Sequence, residues 1–538
     1  MSAMPTIPGP GTGRRRFLTA AATALGSTAL GQLAGAGPAG AVEETARTAP
    51  APDRTAAAPA EPPVPDGAFS LGVASGDPLP DGVVLWTRLA PDLLNGGGMP
   101  DTAFTVHWQI AEDARFRRVV GWGTVLAEPA LGHSVHVDVR GLRPHRDHWY
   151  RFRVGRQLSP VGRTRTAPPA HAEGRLRLAL ASCQNWQHGW FTPYADMADQ
   201  DVDAVLFVGD YIYESAPSAT AVRRHEGAGE PYSLVQYRNR YAQYRSDPDL
   251  LRMHAEAPWI VTFDDHEVDN DFAGEIPQDP DRQPRDAFVA RLTAAYQAFY
   301  EHMPVRATAV PSGPHIRAHR RLDFGRLARL QVLDTRQYRS DQATSQEGAR
   351  SPLLTMLGAE QKRWMLEGLR RSPARWNLIG SQIMMAETDL LVGEGKQWFY
   401  DAWDGYQVER DELLGEFAAV RNPVVLSGDR HLTMVSDLRR DFGDPSSQVV
   451  GAEFVGTSIS ANGDQDQEAF RAEWDPRRPD NPHWKLLDAH RGYHLFDIHR
   501  NGIDAQVRTV DTVRQPRATA GTLARLRVEN GRPGVEPA

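Results

Sequence analysis

The sequence VLFVGDYIYE, residues 205–214, joins an uninterrupted apolar run to a glycine, an aspartate and, three positions later, a tyrosine. A run this short and this apolar predicts a β-strand that is buried on both faces, and Gly209 allows the chain to turn out of it. Asp210 then lies at the carboxyl end of the strand, which is the edge where open α/β sheets usually bind ligands. For an aspartate taken alone, capping of the next helix is an equally simple explanation.

Other segments between residues 175 and 510 show the same short apolar pattern and alternate with helical segments. The further predicted strands are LRLALASC, PWIVTFDD, LARLQVLDT, WNLIGSQ and PVVLSGD. Two of the predicted helices are GAEQKRWMLEGLRR and PRDAFVARLTAAYQAFYEHM, which starts at Pro284 and whose apolar face contains Phe288, Leu292, Ala295 and Phe299. Strands that alternate with helices predict an α/β domain over residues 175–510.

The end of the chain carries weaker signals. HLFDIHRNGIDAQVRTV predicts a β-hairpin that turns at Asn501-Gly502. Residues 511–538 show no strong pattern, and we expect them to form a C-terminal tail.

The chain before the α/β domain divides into two parts. Residues 42–67 consist mainly of Ala, Pro, Glu and Thr and cannot bury a core, which predicts a flexible linker. Residues 68–167 contain the alternating segments VVLWTRL, FTVHWQIA, SVHVDVRGL and HWYRFRVG, separated by turn residues. This pattern is typical of an antiparallel β-sandwich and resembles a fibronectin-type or Ig-like module.

The beginning of the chain has the composition of an export signal. GRRRFLTAAATALGSTALGQLAGAGPAGA has a basic start, a middle of apolar and small residues, and an Ala-x-Ala-like ending near Ala41. Arg14 and Arg15 resemble the twin-arginine pair of one export route. Glycine and threonine interrupt the stretch too often for it to span a bilayer, so no membrane anchor is expected. We therefore expect residues 1–41 to direct secretion through the twin-arginine export machinery.

The charge balance and the cysteine count argue against a nucleic-acid-binding protein and against a protein stabilised by disulfides. The chain has 60 basic and 68 acidic residues, a mild balance that does not favour a nucleic-acid-binding surface. Cys183 is the only cysteine, so no internal disulfide can form and the lone thiol needs another explanation. Proteins of the twin-arginine route typically cross the membrane already folded, often with a metal or cofactor in place, which favours a metal site.

Four of the predicted strands end in residues that can bind metal ions. These residues are Cys183 after LALAS, Asp210 and Tyr213 after VLFVG, Asp264, Asp265 and His266 after IVTF, and Asp429 and His431 after VVLSG. We expect the four endings to share one sheet edge, where thiolate, carboxylates, phenolate and imidazole suit more than one cation. Taken singly, the cysteine could be a small buried hydrophobe, the histidine a helix cap and the aspartate pair a turn.

GD-x-x-Y, DDHE and GD-x-H in this order resemble the metallophosphoesterases, specifically the alkaline phosphatase D (PhoD-like) family, which includes iron-dependent phospholipase D-type phosphodiesterases. The resemblance runs from Phe69 onward and includes LGVASGDPLPDGVVLWTRL, ASCQ, LDTRQYR, WNLIGSQ, NPHWK and RGY. It implies a four-layer αββα catalytic domain behind the N-terminal sandwich, and hydrolysis of phosphoric esters. Asp488 stands where many relatives have asparagine, a departure that affects any outer metal position.

The resemblance also implies ligands. A ferric ion would be held by Cys183, Asp210, Tyr213 and His431. Asp210 would bridge to a second cation, Ca²⁺ or another divalent ion, whose site Asp265 and Asp429 would complete, and Asn270 would contact the phosphate. Asp265 is preferred to Asp264 because it directly precedes His266.

Hydrolysis of phosphate esters requires the kind of chemistry that these residues could supply. A nucleophile must approach an anion, and a pair of cations neutralises the phosphate oxygens and generates hydroxide from bound water near neutral pH. His266 would protonate the leaving alkoxide or form a structural hydrogen bond to a ligand. Arg336 would face the phosphate as a fork-shaped donor or form a buried salt bridge with Asp334 or its neighbours. The predicted function is a secreted metal-dependent phosphoesterase that acts on small phosphate esters or phospholipids.

Two alternatives belong to other classes. A cysteine hydrolase would use Cys183 with His431 or His266, and it would be sensitive to thiol alkylation and indifferent to chelators. That alternative leaves Tyr213 and the clustered carboxylates without a task. A non-catalytic secreted binding protein would use the sandwich as an adhesive module, and a phosphatase assay separates it from an enzyme. The preference among monoesters, diesters and phospholipids depends on pocket shape and covering loops such as residues 215–232.

Overall fold

The computed structural model describes residues 63–538. The expected signal peptide and most of the expected linker lie outside the described residues. The described chain contains α-helices that we number α1 to α8: Pro193–Ala198, Leu234–Tyr244, Pro248–Glu256, Arg285–His302, Gln346–Ala349, Gly358–Arg370, Gln407–Phe417 and Gln467–Trp474. Within residues 63–538, none of these helices has the length and apolar character needed to cross a membrane.

The strands form a ten-stranded, a seven-stranded and a five-stranded sheet. Numbered β1 to β22, they are Val73–Leu79, Gly82–Arg88, Phe104–Ala111, Val119–Ala127, Ser134–Arg140, Asp147–Val154, Gln157–Leu158, Gly162–Arg165, Leu176–Ala181, Ala204–Phe207, Pro258–Val261, Arg320–Phe324, Ala328–Val332, Trp376–Gly380, Pro423–Ser427, Thr433–Arg439, Val449–Val455, Trp484–Asp488, Gly492–His499, Gly502–Val510, Ala520–Glu529 and Arg532–Pro537. Every strand predicted for the α/β region is present, and the mixed α/β class is confirmed.

The two larger sheets each have a parallel centre. The ten-stranded sheet has the order β22-β21-β20-β19-β9-β10-β11-β1-β2-β5, in which β9, β10 and β11 run parallel. The seven-stranded sheet has the order β12-β13-β14-β15-β17-β16-β18, in which β13, β14 and β15 run parallel. The loops that leave these parallel strands at their carboxyl ends carry the residues of interest.

The alternation of side chains along the strands divides the core into layers. In β10, Val205 and Phe207 pack in a cluster with the helices α1 to α4, whereas Ala204 and Leu206 pack in a cluster shared with the seven-stranded sheet. In the seven-stranded sheet, β14 and β15 contribute one face to that shared cluster and the other face to a cluster with α6 and α7. Both faces of each parallel centre are therefore buried, as the uninterrupted apolar runs predicted.

The two predicted helices and the hairpin are confirmed. Pro284 is the N-cap of α4, whose residues Phe288, Leu292, Ala295 and Phe299 are all buried. The segment GAEQKRWMLEGLR forms α6. Strands β19 and β20 pair antiparallel around the Asn501-Gly502 turn.

The N-terminal region departs from an independent sandwich. The five-stranded sheet, formed by β3, β4, β6, β7 and β8, supplies one layer. The opposing strands β1, β2 and β5 belong to the ten-stranded sheet, because β1 pairs parallel with β11 through Ser75 and Pro258. A core cluster that includes Val73, Leu85, Val106 and Phe152 fills the space between these layers. The alternating pattern predicted strands and turns correctly, but it could not show that one layer continues into the next region.

The expected C-terminal tail is ordered structure instead. Residues 520–537 form β21 and β22, which extend the ten-stranded sheet beyond β20. Leu526, Val528 and Val535 are buried in the cluster between the two large sheets. The expectation failed because one face of β21 is solvent-exposed and its apolar residues are interrupted by arginines and threonine.

Candidate metal centre

The residues expected to bind metal lie in tight loops after parallel strands. Cys183 follows β9, Asp210 follows β10, and Asp429 and His431 follow β15. Their backbone φ angles are 58°, 60°, 67° and 55°, in the left-handed region that residues other than glycine seldom adopt. Such backbone strain costs about 1–3 kcal/mol per residue and concentrates at functional sites. The fold therefore holds these four side chains in orientations that an ordinary turn would not give.

Two glycines allow these loops to approach one another. A Cβ on Gly209, whose φ is 113°, would lie 2.4 Å from the Cβ of Asp264, which joins the ends of β10 and β11. A Cβ on Gly428 would lie 2.6 Å from the Oγ of Ser182, which brings the end of β15 against the end of β9. The four endings thus come from two different sheets, and the expectation of one shared sheet edge was wrong. A buried strand has the same apolar pattern in either sheet, so the sequence could not distinguish the two.

Cys183, Asp210 and His431 form the first group of candidate ligands. One ligand atom from each of these three residues lies within 4.8 Å of the other two. The Tyr213 hydroxyl joins them: it donates to Asp210 Oδ2 at 2.8 Å and lies 2.9 Å from His431 Nε2. Thiol, carboxylate, phenol and imidazole groups from three loops therefore surround one small volume.

Asp210 also belongs to a second group of candidate ligands, with Asp265 and His266. A third group consists of Asp265, Asp264 and Asp429. Asp210 is 1% exposed, and its Oδ1 atom is buried without a hydrogen-bond partner while Oδ2 is bonded to Tyr213. A buried carboxylate oxygen normally has a partner. A cation on the Oδ1 side of Asp210 fits this arrangement, and the donor set as a whole fits two neighbouring cations.

The protonation of Cys183 and Tyr213 depends on such cations. Burial, and next the negative charge of Asp210, raise the pKa of both groups well above their usual values. A bound cation favours the thiolate and phenolate forms and so acts against this shift. Two buried acids with raised pKa values beside a buried carboxylate are therefore consistent with ligands whose charge a metal compensates.

Glu267 ties two of the loops together. Its carboxylate accepts hydrogen bonds from the backbone N–H groups of Asp210, Tyr211 and Asp264, at 3.2, 2.5 and 2.8 Å. Burial and the nearby Asp210 raise the pKa of Glu267 to about 8. No role was predicted for Glu267, although its place in the DDHE motif was an available signal.

His266 and Asn270 are both held by Glu214. The Nδ1 atom of His266 lies 2.7 Å from Glu214 Oε2, and the backbone N–H of Asn270 donates to Glu214 Oε1 at 3.0 Å. Burial acts to lower the pKa of His266, but the charges of Glu214 and Asp265 raise it well above its usual value. The His266 ring also lies against Tyr213, with 4.1 Å between the ring centroids. Glu214 is the last residue of the VLFVGDYIYE segment, and no role was predicted for it.

Arg336 is fully buried among the carboxylates. It pairs with Asp264 and makes two contacts of 2.9 Å with Asp401. Its Nη2 atom has no hydrogen-bond partner and lies 3.6 Å from Asp265 and 3.7 Å from Asp429. The salt-bridge alternative for Arg336 therefore describes its contacts in this structure, although the carboxylates are those of Asp264 and Asp401 and not that of Asp334. Its contact with a phosphate stays a prediction.

Asp401 and Asp271 extend the acidic cluster and were not predicted. Their carboxylates lie with that of Asp265 in a fourth group of candidate ligands. Burial and next the charge of Asp401 raise the pKa of Asp271 to about 8. Asp401 lies in the segment WFYDAW, which follows no predicted strand, so the sequence offered no signal for it.

Comparisons with known proteins identify the family of the chain. Residues 178–507 match the family model described as PhoD-like phosphatase, and residues 54–168 match that of the PhoD-like phosphatase N-terminal domain. The chain is 44% identical over 480 residues to alkaline phosphatase D of Bacillus subtilis (strain 168), across 87% of this chain and 82% of that protein. A solved structure of PhoD superposes with a TM-score of 0.84 at 43% identity, covering 88% of this chain and 92% of that one.

A more distant similarity is to a purple acid phosphatase from yellow lupin (Lupinus luteus) seeds, with a TM-score of 0.49 at 12% identity over 81% of this chain and 71% of that one. This likeness is too remote to support a statement about function. The fold and the nearer relatives define a hydrolase of phosphoric esters. The chain belongs to the PhoD-like phosphatase family, as the ordered motifs predicted.

Proposed function

We propose that the protein is an exported, metal-dependent phosphoesterase of the alkaline phosphatase D type that hydrolyses phosphate mono- or diesters. The observation that carries this proposal is the position of Asp210, which is shared between two groups of candidate ligands and has one buried oxygen without a partner. Those are the properties expected of a carboxylate that bridges two cations.

The donor chemistry supports two different ions. Thiolate, phenolate, imidazole and carboxylate favour a ferric ion at the position surrounded by Cys183, Asp210, Tyr213 and His431. An all-carboxylate neighbour formed by Asp210, Asp265 and Asp429 suits Ca²⁺ or another divalent ion. Asp265 is the better candidate than Asp264, because Asp264 is paired with Arg336 while Asp265 belongs to three of the four groups.

When bound, the two cations would neutralise the phosphate oxygens and lower the pKa of a water that attacks phosphorus. The protein's own groups would do the rest. Glu214 holds Nδ1 of His266, so that Nε2 remains to donate a proton to the leaving alkoxide. Glu214 also fixes the backbone at Asn270, whose side chain would contact the phosphate. Arg336 would orient Asp265 and Asp429 and offer Nη2 towards the same volume.

The finer points of architecture and location belong to the same proposal. Two sheets that share one core cluster, each with helices on its outer face, support the four-layer αββα arrangement of the catalytic region. The layers formed by β3, β4, β6 and by β1, β2, β5 support an Ig-like N-terminal region that shares a sheet with it. The basic and apolar composition of residues 1–41 supports export.

The test is hydrolysis of an aryl phosphate and of its diester analogue at alkaline pH, together with analysis of metals in protein purified without added metal. We expect iron and a divalent ion, activity on at least one substrate, and loss of that activity after chelation. Protein that contains both metals and hydrolyses neither substrate would refute the assignment and favour a non-catalytic binding protein. Inactivation by thiol alkylation without effect of chelators would favour a cysteine hydrolase.

A single substitution tests the bridging role. Asp210→Asn should reduce the rate by more than the roughly 10–100-fold typical of changes outside the ligand shell, and should release metal, because an amide nitrogen cannot replace a carboxylate oxygen. Asp341→Asn is the matched control, since Asp341 is exposed in a loop. If both variants keep their metal and stay within a few-fold of the wild-type rate, Asp210 does not bridge.

A further inference from the structure

Arg430 stands between two candidate ligands, Asp429 and His431, yet has no task in the metal centre described above. Its backbone N–H donates to the Gly428 carbonyl at 2.8 Å, within the same strained loop. Its guanidinium carbon lies 4.6 Å from the centroid of the Phe399 ring. A cation over an aromatic face is attracted to it, so Phe399 supports the guanidinium in one position beside the centre.

The Arg430 guanidinium is not engaged by a carboxylate. Its Nε atom is buried without a hydrogen-bond partner, and Arg430 forms no ion pair within 4.0 Å among residues 63–538. Arg336 and Arg410, in contrast, are paired with buried aspartates. A half-buried arginine without a counter-ion is unusual, because such charges are normally paired.

Arg430 nevertheless lies beside the metal centre, because its chain neighbours Asp429 and His431 are both candidate ligands. The guanidinium lies over Phe399, which stands two residues before Asp401, and Asp401 forms a group of candidate ligands with Asp265 and Asp271. Asp429 itself belongs to the group of candidate ligands with Asp264 and Asp265. Arg430 therefore combines a guanidinium supported by Phe399, an unpartnered N–H donor and a positive charge without an ion-pair partner among the described residues, in the loop between two candidate ligands.

A guanidinium matches phosphate oxygens through two parallel N–H donors. A phosphate monoester carries about two negative charges near neutral pH. A diester carries one charge and has one non-bridging oxygen fewer. An extra cation at this position would therefore stabilise a bound monoester more than a bound diester.

We infer that Arg430 binds a non-bridging oxygen of the substrate phosphate and favours phosphate monoesters over diesters. This inference rests on the proposed function and names the substrate preference of the same site. Phe399 is a positioning residue in this arrangement, since it acts only by supporting the guanidinium.

The test compares kcat/KM for an aryl phosphate monoester and its aryl diester analogue in variants with measured metal content. Arg430→Gln should lower the monoester value by about 10- to 100-fold, the loss expected for one charge-assisted hydrogen bond, and the diester value by less than about 3-fold. Arg430→Lys, which keeps the charge without the fork, should fall between. Phe399→Leu should raise KM for the monoester with a smaller effect on kcat. Arg371→Gln is the matched control, because that side chain, at the C-cap of α6, is 78% exposed.

The possible results separate this inference from the proposed function. Wild-type protein that contains metal but hydrolyses neither ester would refute the proposed function. Active wild-type protein would overturn only the role of Arg430 if Arg430→Gln left the ratio of the two kcat/KM values unchanged. A loss of metal in Arg430→Gln would also overturn it, since Arg430 would then support the ligand loop instead of the substrate. A fall in the ratio at full metal content supports the inference.

Discussion

At the scale of single residues, Tyr213 and Cys183 are the candidate ligands that distinguish this centre from an ordinary acidic site. The tyrosine hydroxyl bonds to Asp210 and lies against His431, and the cysteine is 1% exposed beside them. Packing alone would explain a buried tyrosine ring. It does not explain why the hydroxyl points at a carboxylate and an imidazole that group with a thiol.

These two residues predict colour. If they bind ferric iron, light can move electron density from phenolate or thiolate into the metal, so concentrated protein should absorb in the visible range. Tyr213→Phe should weaken or shift the band, and Cys183→Ser should shift it separately and lower iron retention, because a soft ligand is replaced by a weak hydroxyl. Absorption spectra, paired with iron analysis of each variant, measure this.

The opposite result is equally clear. Colourless, iron-free wild-type protein that is fully active with Ca²⁺ or another divalent ion would refute the ferric assignment. It would leave the two-cation hydrolysis at Asp210 intact.

At the scale of elements, the site depends on how strand ends are held together. Glu267 accepts from three backbone N–H groups on the loops after β10 and β11. Glu267→Ala would leave these buried donors unsatisfied, at a cost of about 1–3 kcal/mol each. We expect the variant to unfold at lower denaturant concentration by at least about 3 kcal/mol and to lose metal.

Glu347→Ala is the control for this change, because Glu347 is exposed. The prediction is checked by denaturant unfolding and metal analysis of both variants. Stability and metal content of Glu267→Ala that match the control would show that the loops do not depend on this carboxylate.

The last strands test whether the end of the chain belongs to the core. Leu526 of β21 is 6% exposed and packs between the two large sheets, whereas Leu523 of the same strand is 41% exposed. Leu526→Ala should lower the free energy of unfolding by about 2–3 kcal/mol, the lower part of the range for buried leucines, because it lies near the sheet edge. Leu523→Ala should change it by less than about 0.5 kcal/mol. Equal effects in thermal or denaturant unfolding would contradict the core role of β21.

At the scale of the whole molecule, the N-terminal layers and the catalytic region share the ten-stranded sheet. Strand β1 pairs with β11, whose following loop carries Asp264 and Asp265. Formation of the site therefore depends on folding of both regions, which is compatible with export of a protein that is already folded.

Export itself gives a prediction for the full chain. Replacement of Arg14 and Arg15 by lysine should keep the precursor inside the cell, since the twin-arginine route depends on that pair. Arg16→Lys is the control, because it changes a neighbouring arginine outside the pair. Immunoblots of cell and medium fractions measure the outcome. Normal export of the double variant would favour the general secretory route and a site loaded with metal outside the cell.

Much of this protein follows from local sequence. Short apolar runs predicted the strands, and the spacing of residues such as Phe288 and Leu292 predicted the buried faces of helices. The Asn501-Gly502 pair predicted the hairpin. Each of these features could be predicted from a few neighbouring residues. The candidate ligands could also be found from local sequence, because each stands at or just after the end of a predicted strand. The ordered motifs were sufficient to recognise the family.

The tertiary structure decided how those local pieces meet. It brought endings from two sheets together at Gly428, placed Arg336 in buried ion pairs, and added Glu214 and Asp401 to the site. It also made β21 and β22 part of the core. The physical reason is that strand pairing and the contacts of buried charges are made between residues far apart in the chain. Local hydrophobic patterns determine which segments are buried, but not which partners they are buried against.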